Sequence, residues 1–406
     1  MFDAYSSSFL EDPYSTYELL RRDTPVFYDE EWALTFVTRH GDVLSVLKDR
    51  ERFGRDFRHR MGPEDVDQGL YERIYPPRWP VWTKYIRESF IDLEPPRHTR
   101  LRRLVSKAFT RRSAEAFRER LEAASDALLR EIIDRGTVDV IADYATPIPV
   151  AMIAALMGIP NVDHPQLIGW SHAIVRVFDE RVTEIEGDQA EQATRDFVAY
   201  VEETMEQRRR HPGDDLVSAM IDVEDEGDRL SDDEIVSTVI LTLNAGHEAT
   251  VHAIGNALLA LGSDRRAYGE LRSGDANIST AVDELLRFDS PLQMFERWVL
   301  VDTEVSGHEL AKGTKVGLLF GSANHDPSVF ADPRSLDLSR HPNPHVSFGA
   351  GLHYCVGAPL AKVELESALG RFAARVAEFE IAGYGDRIES LVFRGLRRLE
   401  IAVTPA

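Results

Sequence analysis

The sequence predicts a mainly α-helical protein with small β-sheets. Helical periodicity dominates most of the chain, one long amphipathic stretch runs unbroken through its second half, and only a few short segments read as strands. The strand candidates are Val26 to Tyr28 and Ala33 to Val37 near the N-terminus, and Leu399 to Val403 near the C-terminus. The clearest helix opens at Ser231-Asp-Asp-Glu234, a capping-box pattern in which serine and glutamate satisfy each other's backbone amides. No proline follows until Pro291, and Ile235, Val236, Val239, Ile240, Leu243, Ile254, Ala257 and Leu258 keep an apolar stripe at helical spacing. A helix from there to Leu261 is about 45 Å long, enough to cross a molecule of this size. A further helix is expected over Pro359 to Phe372, with proline in the first turn where its missing N–H costs nothing. A basic amphipathic helix is expected after Pro95-Pro96.

No Gly/Ser-rich or Pro-rich linker and no internal repeat divides the 406 residues, so one domain over 1–406 is expected. With 43% hydrophobic residues the chain can bury a substantial core, and no apolar run is long enough to span a bilayer. The N-terminus carries neither a basic region nor an apolar one of the kind that targets secretion, which predicts a cytoplasmic protein. A formal charge of −22 argues against nucleic acid or an anionic membrane as partner.

The one cysteine, Cys355, cannot form an internal disulfide. It lies in Phe348-Gly349-Ala-Gly351-Leu-His353-Tyr-Cys355-Val-Gly357, directly before the expected helix at Pro359. A thiolate at a helix N-terminus is favoured by the helix dipole, and glycines let backbone approach a flat group closely. Those are the requirements for an axial ligand to haem iron. The segment resembles the haem-binding signature of the cytochrome P450 superfamily, without a gap. The resemblance implies the fold of that superfamily, with a long central helix over the haem, and a cofactor of haem b (iron protoporphyrin IX). It implies Cys355 as the metal ligand, Phe348 packed near the sulfur, Gly349 and Gly357 in the cofactor loop, and His353 at a haem propionate.

Within the long helix, Ala245-Gly246-His247-Glu248-Ala249-Thr250 resembles the family's oxygen-binding stretch. A glycine inside a helix costs about 1 kcal/mol relative to alanine, so Gly246 requires a reason such as close approach of another group. Glu248 takes the acid position. Ala249 stands where most family members carry threonine, and Thr250 follows one residue late, turned about 100° around the axis. The resemblance makes Glu248, working through water or a substrate hydroxyl, and Thr250, given a local distortion of the helix, the candidates for handling protons, with Ala245 and Gly246 in contact with the cofactor.

Two other constellations extend the resemblance. Glu284-Leu-Leu-Arg287 with Arg340 matches the family's buried Glu-x-x-Arg pair and its second arginine, a structural role. His98, Arg102 and Arg297 match its propionate contacts, where guanidinium and imidazole donors suit buried anions. Arg100, Arg103 and Lys107 read as a solvated basic face. Between Arg97 and Arg112 there are seven lysines and arginines and no acidic residue, a positive island on an acidic chain. It suggests docking of an acidic ferredoxin. No Gly-x-Gly-x-x-Gly dinucleotide fingerprint is present, so electrons are expected from NAD(P)H through a separate reductase and ferredoxin.

For substrate, Tyr75, Trp79, Trp82 and Tyr85, interleaved with Arg78, Lys84 and Arg87, read either as an aromatic wall beside a cation or as packing of a long loop. Leu167 to Phe178, Leu292 to Phe295 and Leu391-Val392-Phe393 correspond to the family's other variable pocket segments. The expected activity is insertion of one oxygen atom from dioxygen into a small, mostly apolar molecule. The alternatives are a phenol-coupling or peroxide-driven haem-thiolate oxidase, and a haem sensor without turnover.

Overall fold

The computed structural model describes residues 3–107, 109–160, 163–178, 182–225 and 227–406. The helices that matter below are α1 (Arg97–Ser106), α2 (Arg118–Arg135), α3 (Pro147–Met157), α4 (His164–Val175), α5 (Glu184–Arg210), α6 (Asp232–Ser263), α7 (Ile278–Phe288) and α8 (Ala358–Arg375). The strands are β1 (Val26–Asp29), β2 (Leu34–Val37), β3 (Phe53–Gly54), β4 (Thr137–Asp139), β5 (Met294–Val299), β6 (Lys315–Leu319), β7 (Val376–Tyr384) and β8 (Leu399–Pro405). Two compact units result: Met1–Gly54 with Glu115–Ile148 and Ala249–Ala406, and Arg55–Ala114 with Pro149–Glu248.

The long helix α6 forms as its sequence dictates. Ser231 N donates to Glu234 Oε2 at 2.9 Å and Glu234 N to Ser231 Oγ at 3.3 Å, so the capping box is complete. Three acidic residues in the first turn complement the helix dipole. The helix continues without a π or 3₁₀ interruption for 32 residues, two past the expected end. Helix α5 starts on a second capping box, Thr183 with Glu186, and finishes on Arg208, Arg209 and Arg210.

The first unit contains a five-stranded sheet in the order β1-β2-β6-β5-β3. Strands β1 and β2 pair antiparallel, Val26 opposite Val37, and β2 lies parallel to β6, Val37 opposite Leu318. Antiparallel pairing of β6 with β5 sets Arg297 opposite Val316. Ala33, expected to open the second strand, instead has a φ of 48°, a turn conformation closed by the Asp29 carboxylate on the amides of Glu31 and Trp32. A three-stranded sheet, β7-β8-β4, completes the unit's main β-structure. Val37, Val43, Phe53, Val316, Leu318, Phe320 and Val346 share one buried cluster, which carries the sheet's packing to the start of the cysteine loop.

The expected Glu284 network is fully formed. Arg287 donates to both oxygens of Glu284 at 2.7 and 2.8 Å, both side chains being wholly buried. Arg340 Nε, Asn343 Nδ2 and the Asp337 amide add donors, each at 3.1 Å. Arg287 spends its remaining N–H groups on the carbonyls of Asn324, Pro333 and Ser335. Breaking one partner of such a buried pair leaves a charge uncompensated. Glu284→Ala should therefore lower unfolding free energy by about 3–5 kcal/mol in a urea titration. A loss below about 1 kcal/mol, the worth of a surface pair, would contradict the network's role.

Candidate active site

The cysteine loop is built by its glycines and held from behind. Gly349 and Gly351 both have a φ of +68°, a region open to glycine and strained for other residues. At Gly351 a Cβ would also lie 2.4 Å from the Leu47 carbonyl oxygen, so no side chain fits. The Cys355 amide donates to the Phe348 carbonyl at 2.9 Å and closes the loop. Asn324 fixes its entry: Oδ1 accepts from the Val346 amide at 2.8 Å and Nδ2 donates to Ser347 Oγ at 2.9 Å. Lys362 and His345 share Asp283, tying the loop and α8 to α7.

Cys355 emerges from this frame exposed, three residues before α8. Gly357, at the helix N-cap, offers no side-chain cap, which leaves the positive end of the dipole uncompensated beside the thiol. A Cβ on Gly357 would meet only the Cys355 sulfur, 3.9 Å away. Protein packing does not require that glycine. His353 and Phe348 are half-buried in the same loop, and Phe348 packs edge-tilted against Tyr354 and His345. Arg297 is buried at 4% exposure in β5, its Nη1 donating to the Glu296 carbonyl at 2.8 Å. Thr250, in the same unit, is buried.

The other candidates belong to the second unit. His98 is fully buried on α1 and Arg102, one turn on, is half-buried. On α6, Ala245 is exposed in mid-helix while Leu243 and His247 are buried, so the helix presents one small-residue face uncovered. Gly246 has a structural reason: its missing Cβ would stand 2.8 Å from Ile153 Cδ1 on α3, so glycine brings α3 close to α6. Glu248 is half-buried, and burial alone pushes its carboxyl above the ordinary carboxylate range.

Two sequence expectations change here. Arg100 is not a solvated cation: it grips Asp228 at 2.7 and 2.8 Å and Glu234 at 2.6 Å. The positive island is therefore smaller than its composition suggests, with Arg103 and Lys107 exposed and Lys107 donating to the Glu224 carbonyl. The side chain of Arg111 lies outside the described residues. The aromatic segment follows the packing alternative. Trp82 is wholly buried, its backbone amide on Glu191 and its indole N–H on the Ile174 carbonyl. Arg78 and Trp79 bind Asp188, and Lys84 pairs with Asp233, so these cations already have acids of their own.

Fold and loop together define a mainly helical enzyme class whose one thiol is presented on a glycine-rich loop at a helix start. The cytochrome P450 family model matches residues 80–273 and 278–380. The chain is 33% identical to the polyketide biosynthesis cytochrome P450 PksS of Bacillus subtilis, over 100% of this chain and 99% of that one. A solved structure of PksS superposes with a TM-score of 0.89 over both full lengths. The vitamin D(3) 25-hydroxylase of Pseudonocardia autotrophica is 34% identical, covering 99% and 96% of the two chains. The 6-deoxyerythronolide B hydroxylase of Saccharopolyspora erythraea is also 34% identical, covering 98% of each. The chain belongs to the cytochrome P450 family. It is a cytochrome P450 monooxygenase, an oxidoreductase whose family cofactor is haem, and the loop described above has the donor and the clearance that haem demands. Among the described residues no helix is long and apolar enough to cross a membrane.

One buried carboxyl escaped the sequence reading. Glu364 on α8, nine residues after Cys355, is 3% exposed, and Oε1 has no hydrogen-bond partner among the described residues. Burial pushes its carboxyl up to about 8. Since the folded state holds this proton more tightly than the unfolded state, stability from this group is present at low pH and lost as pH rises towards 8. Wild-type unfolding free energy should carry a falling component of at most about 1.4 kcal/mol per pH unit over that window. Glu364→Gln should flatten it in denaturation curves recorded from pH 5 to 8, and parallel pH profiles for the two proteins would rule the effect out.

Proposed function

We propose that the protein inserts one oxygen atom into a small, mostly apolar organic substrate, with Cys355 as the residue whose thiolate would hold haem b. The observation that carries this reading is the exposed Cys355 sulfur beside Gly357 at the uncapped start of α8. Haem, when bound there, supplies the redox chemistry that activates dioxygen, and a thiolate ligand favours O–O cleavage over reversible carriage. Phe348, Gly349 and Gly357 would shape the surface against the cofactor. His353, His98, Arg102 and Arg297 would meet its propionates, the burial of His98 and Arg297 suiting a desolvated anion. Ala245 and Gly246 would contact the cofactor. Two relatives named as hydroxylases, for vitamin D(3) and for 6-deoxyerythronolide B, support hydroxylation of an organic molecule. This reading treats residues 1–406 as one catalytic domain of a cytoplasmic protein.

Glu248 would hold and release a proton at its carboxyl oxygen, passing it through ordered water or a hydroxyl of the substrate. Burial keeps that carboxyl protonated to higher pH than usual, as a proton donor requires. The unbroken α-helical course of α6 keeps the Thr250 hydroxyl about 100° from the direction of the Ala249 Cβ, so Thr250 would not stand in for the family's threonine and the proton route would fall to Glu248. Electrons would come from NAD(P)H through ferredoxin reductase and ferredoxin, with Arg103 and Lys107 as the exposed cations of the docking face.

Replacing Cys355 with alanine should abolish the carbon monoxide difference spectrum of the thiolate-ligated ferrous haem. A spectrum identical to wild type would overturn the assignment. Glu248→Gln should cut product formed per NAD(P)H consumed, lowering turnover by about 100-fold while leaving substrate-induced absorption shifts in place. Charge reversal at Arg103 and Lys107 should slow reduction by ferredoxin and weaken its salt dependence; an unchanged rate would place docking elsewhere.

A further inference from the structure

In the first unit, the segment 387–394 and the N-terminal helix Pro13–Asp23 enclose a small cavity beside a buried charge cluster. Asp289, Arg387 and Arg394 are 7%, 8% and 7% exposed. Arg394 Nε donates to Asp289 Oδ1 at 2.6 Å, and Arg387 Nη1 donates to Asp289 Oδ2 at 3.4 Å and to Asn256 Oδ1 at 3.1 Å. Two guanidiniums thus share one carboxylate, and neither forms another ion pair among the described residues. The acids nearest in sequence, Asp386 and Glu389, are exposed. Arg394 spends its outer nitrogens on the carbonyls of Leu10 and Glu11, at 2.5 and 2.9 Å. Arg387 does not: its Nε is buried without a partner, and its Nη2 makes no hydrogen bond among the described residues.

A buried charge without a counter-charge is costly, and so is a buried donor without an acceptor. Nε and Nη2 form the side edge of a guanidinium, and their N–H groups point the same way. At Arg387 that edge is unused. Arg387 lines the cavity together with Tyr17 and Ser390, against Phe9 and Leu391. Tyr17 is 0% exposed and its hydroxyl has no partner among the described residues. Ser390 Oγ accepts the amides of Val392 and Phe393 at 3.1 Å each, which leaves its own hydrogen to donate. Gln293, whose Oε1 also lacks a partner, turns that oxygen to Gly321, where an added Cβ would stand 1.9 Å from it. The space has room for about one water-sized body, too little for a carboxylate or a phosphate. We propose that this cavity is a halide site, holding one chloride ion against the side edge of Arg387. Chloride supplies the missing negative charge, accepts from several donors at once and is close to water in size. Water could satisfy the donors but would leave the charge unbalanced. The formal charge of −22 on the whole chain does not oppose this, because exposed acids beyond about 10 Å are largely screened at physiological salt. The ion would brace the turn at 390–393 against the N-terminal helix.

The test uses full-length holoenzyme, with chloride and bromide as the probes. At constant ionic strength, replacing sodium gluconate, whose anion is too large for the cavity, by sodium chloride should raise Tm by roughly 2 °C and then level off as one site fills. A crystal soaked in sodium bromide should give an anomalous bromide peak beside Arg387 Nε. Tyr17→Phe, which keeps the ring, should weaken the chloride response by about tenfold, and Arg387→Gln should abolish it. Equal Tm values in chloride and gluconate would overturn the proposal, and so would a chloride effect of the same size in Tyr17→Phe and in wild type, which marks a general salt effect. Bromide peaks only elsewhere on the molecule, with water beside Arg387, would overturn it too. Should Arg387→Gln fail to fold, the wild-type titration and the bromide map decide the matter.

Discussion

One carboxylate, Glu284, organises the architecture of the first unit. It receives two donors from Arg287, one each from Arg340 and Asn343, and a backbone amide from Asp337. A buried charge is tolerable only when its hydrogen-bonding capacity is filled. Filling it draws the meander from Asn324 to Asn343 onto α7, and that segment delivers the chain to the cysteine loop. Asn324 then hands the order on, since its side chain grips Val346 and Ser347 while its carbonyl accepts from Arg287. The position of Cys355 is thus set by polar groups buried behind the loop, while the residue itself stays exposed.

The long helix α6 obeys a different economy. Capping and an unbroken apolar stripe make it a continuous rod, and glycine at 246 admits Ile153 of α3 rather than bending the axis. Because the helix stays regular, moving a hydroxyl from position 249 to 250 moves it to another face. On the proposed reading, proton chemistry would then work with Glu248 and water, beside the small side chains of Ala245 and Ala249.

Local signals were legible wherever the physics is local. The capping box at Ser231, the strands at Val26 and Leu399, and the Glu284 triad came out as read. Strands β5, β6 and β7 did not, since β6 carries a buried Lys-Val-Gly-Leu-Leu run without alternation and β7 follows α8 with no breaking residue between Arg375 and Val376. Arg100 and the aromatic segment misled for a related reason. Their acids, Asp228, Asp188 and Asp233, lie more than a hundred residues away in sequence, so charge looked unpaired where tertiary contact pairs it.

By itself the sequence determined the mainly helical class, the family, the thiol and the glycines that free its surroundings, because backbone propensity, capping and steric clearance act within a few residues. Only the tertiary structure decided which charges are spent internally, how deeply Glu364 and His247 are buried, and which neighbours their polar atoms lack. Desolvation and ion pairing depend on what packs from distant segments, and no window of sequence contains that information.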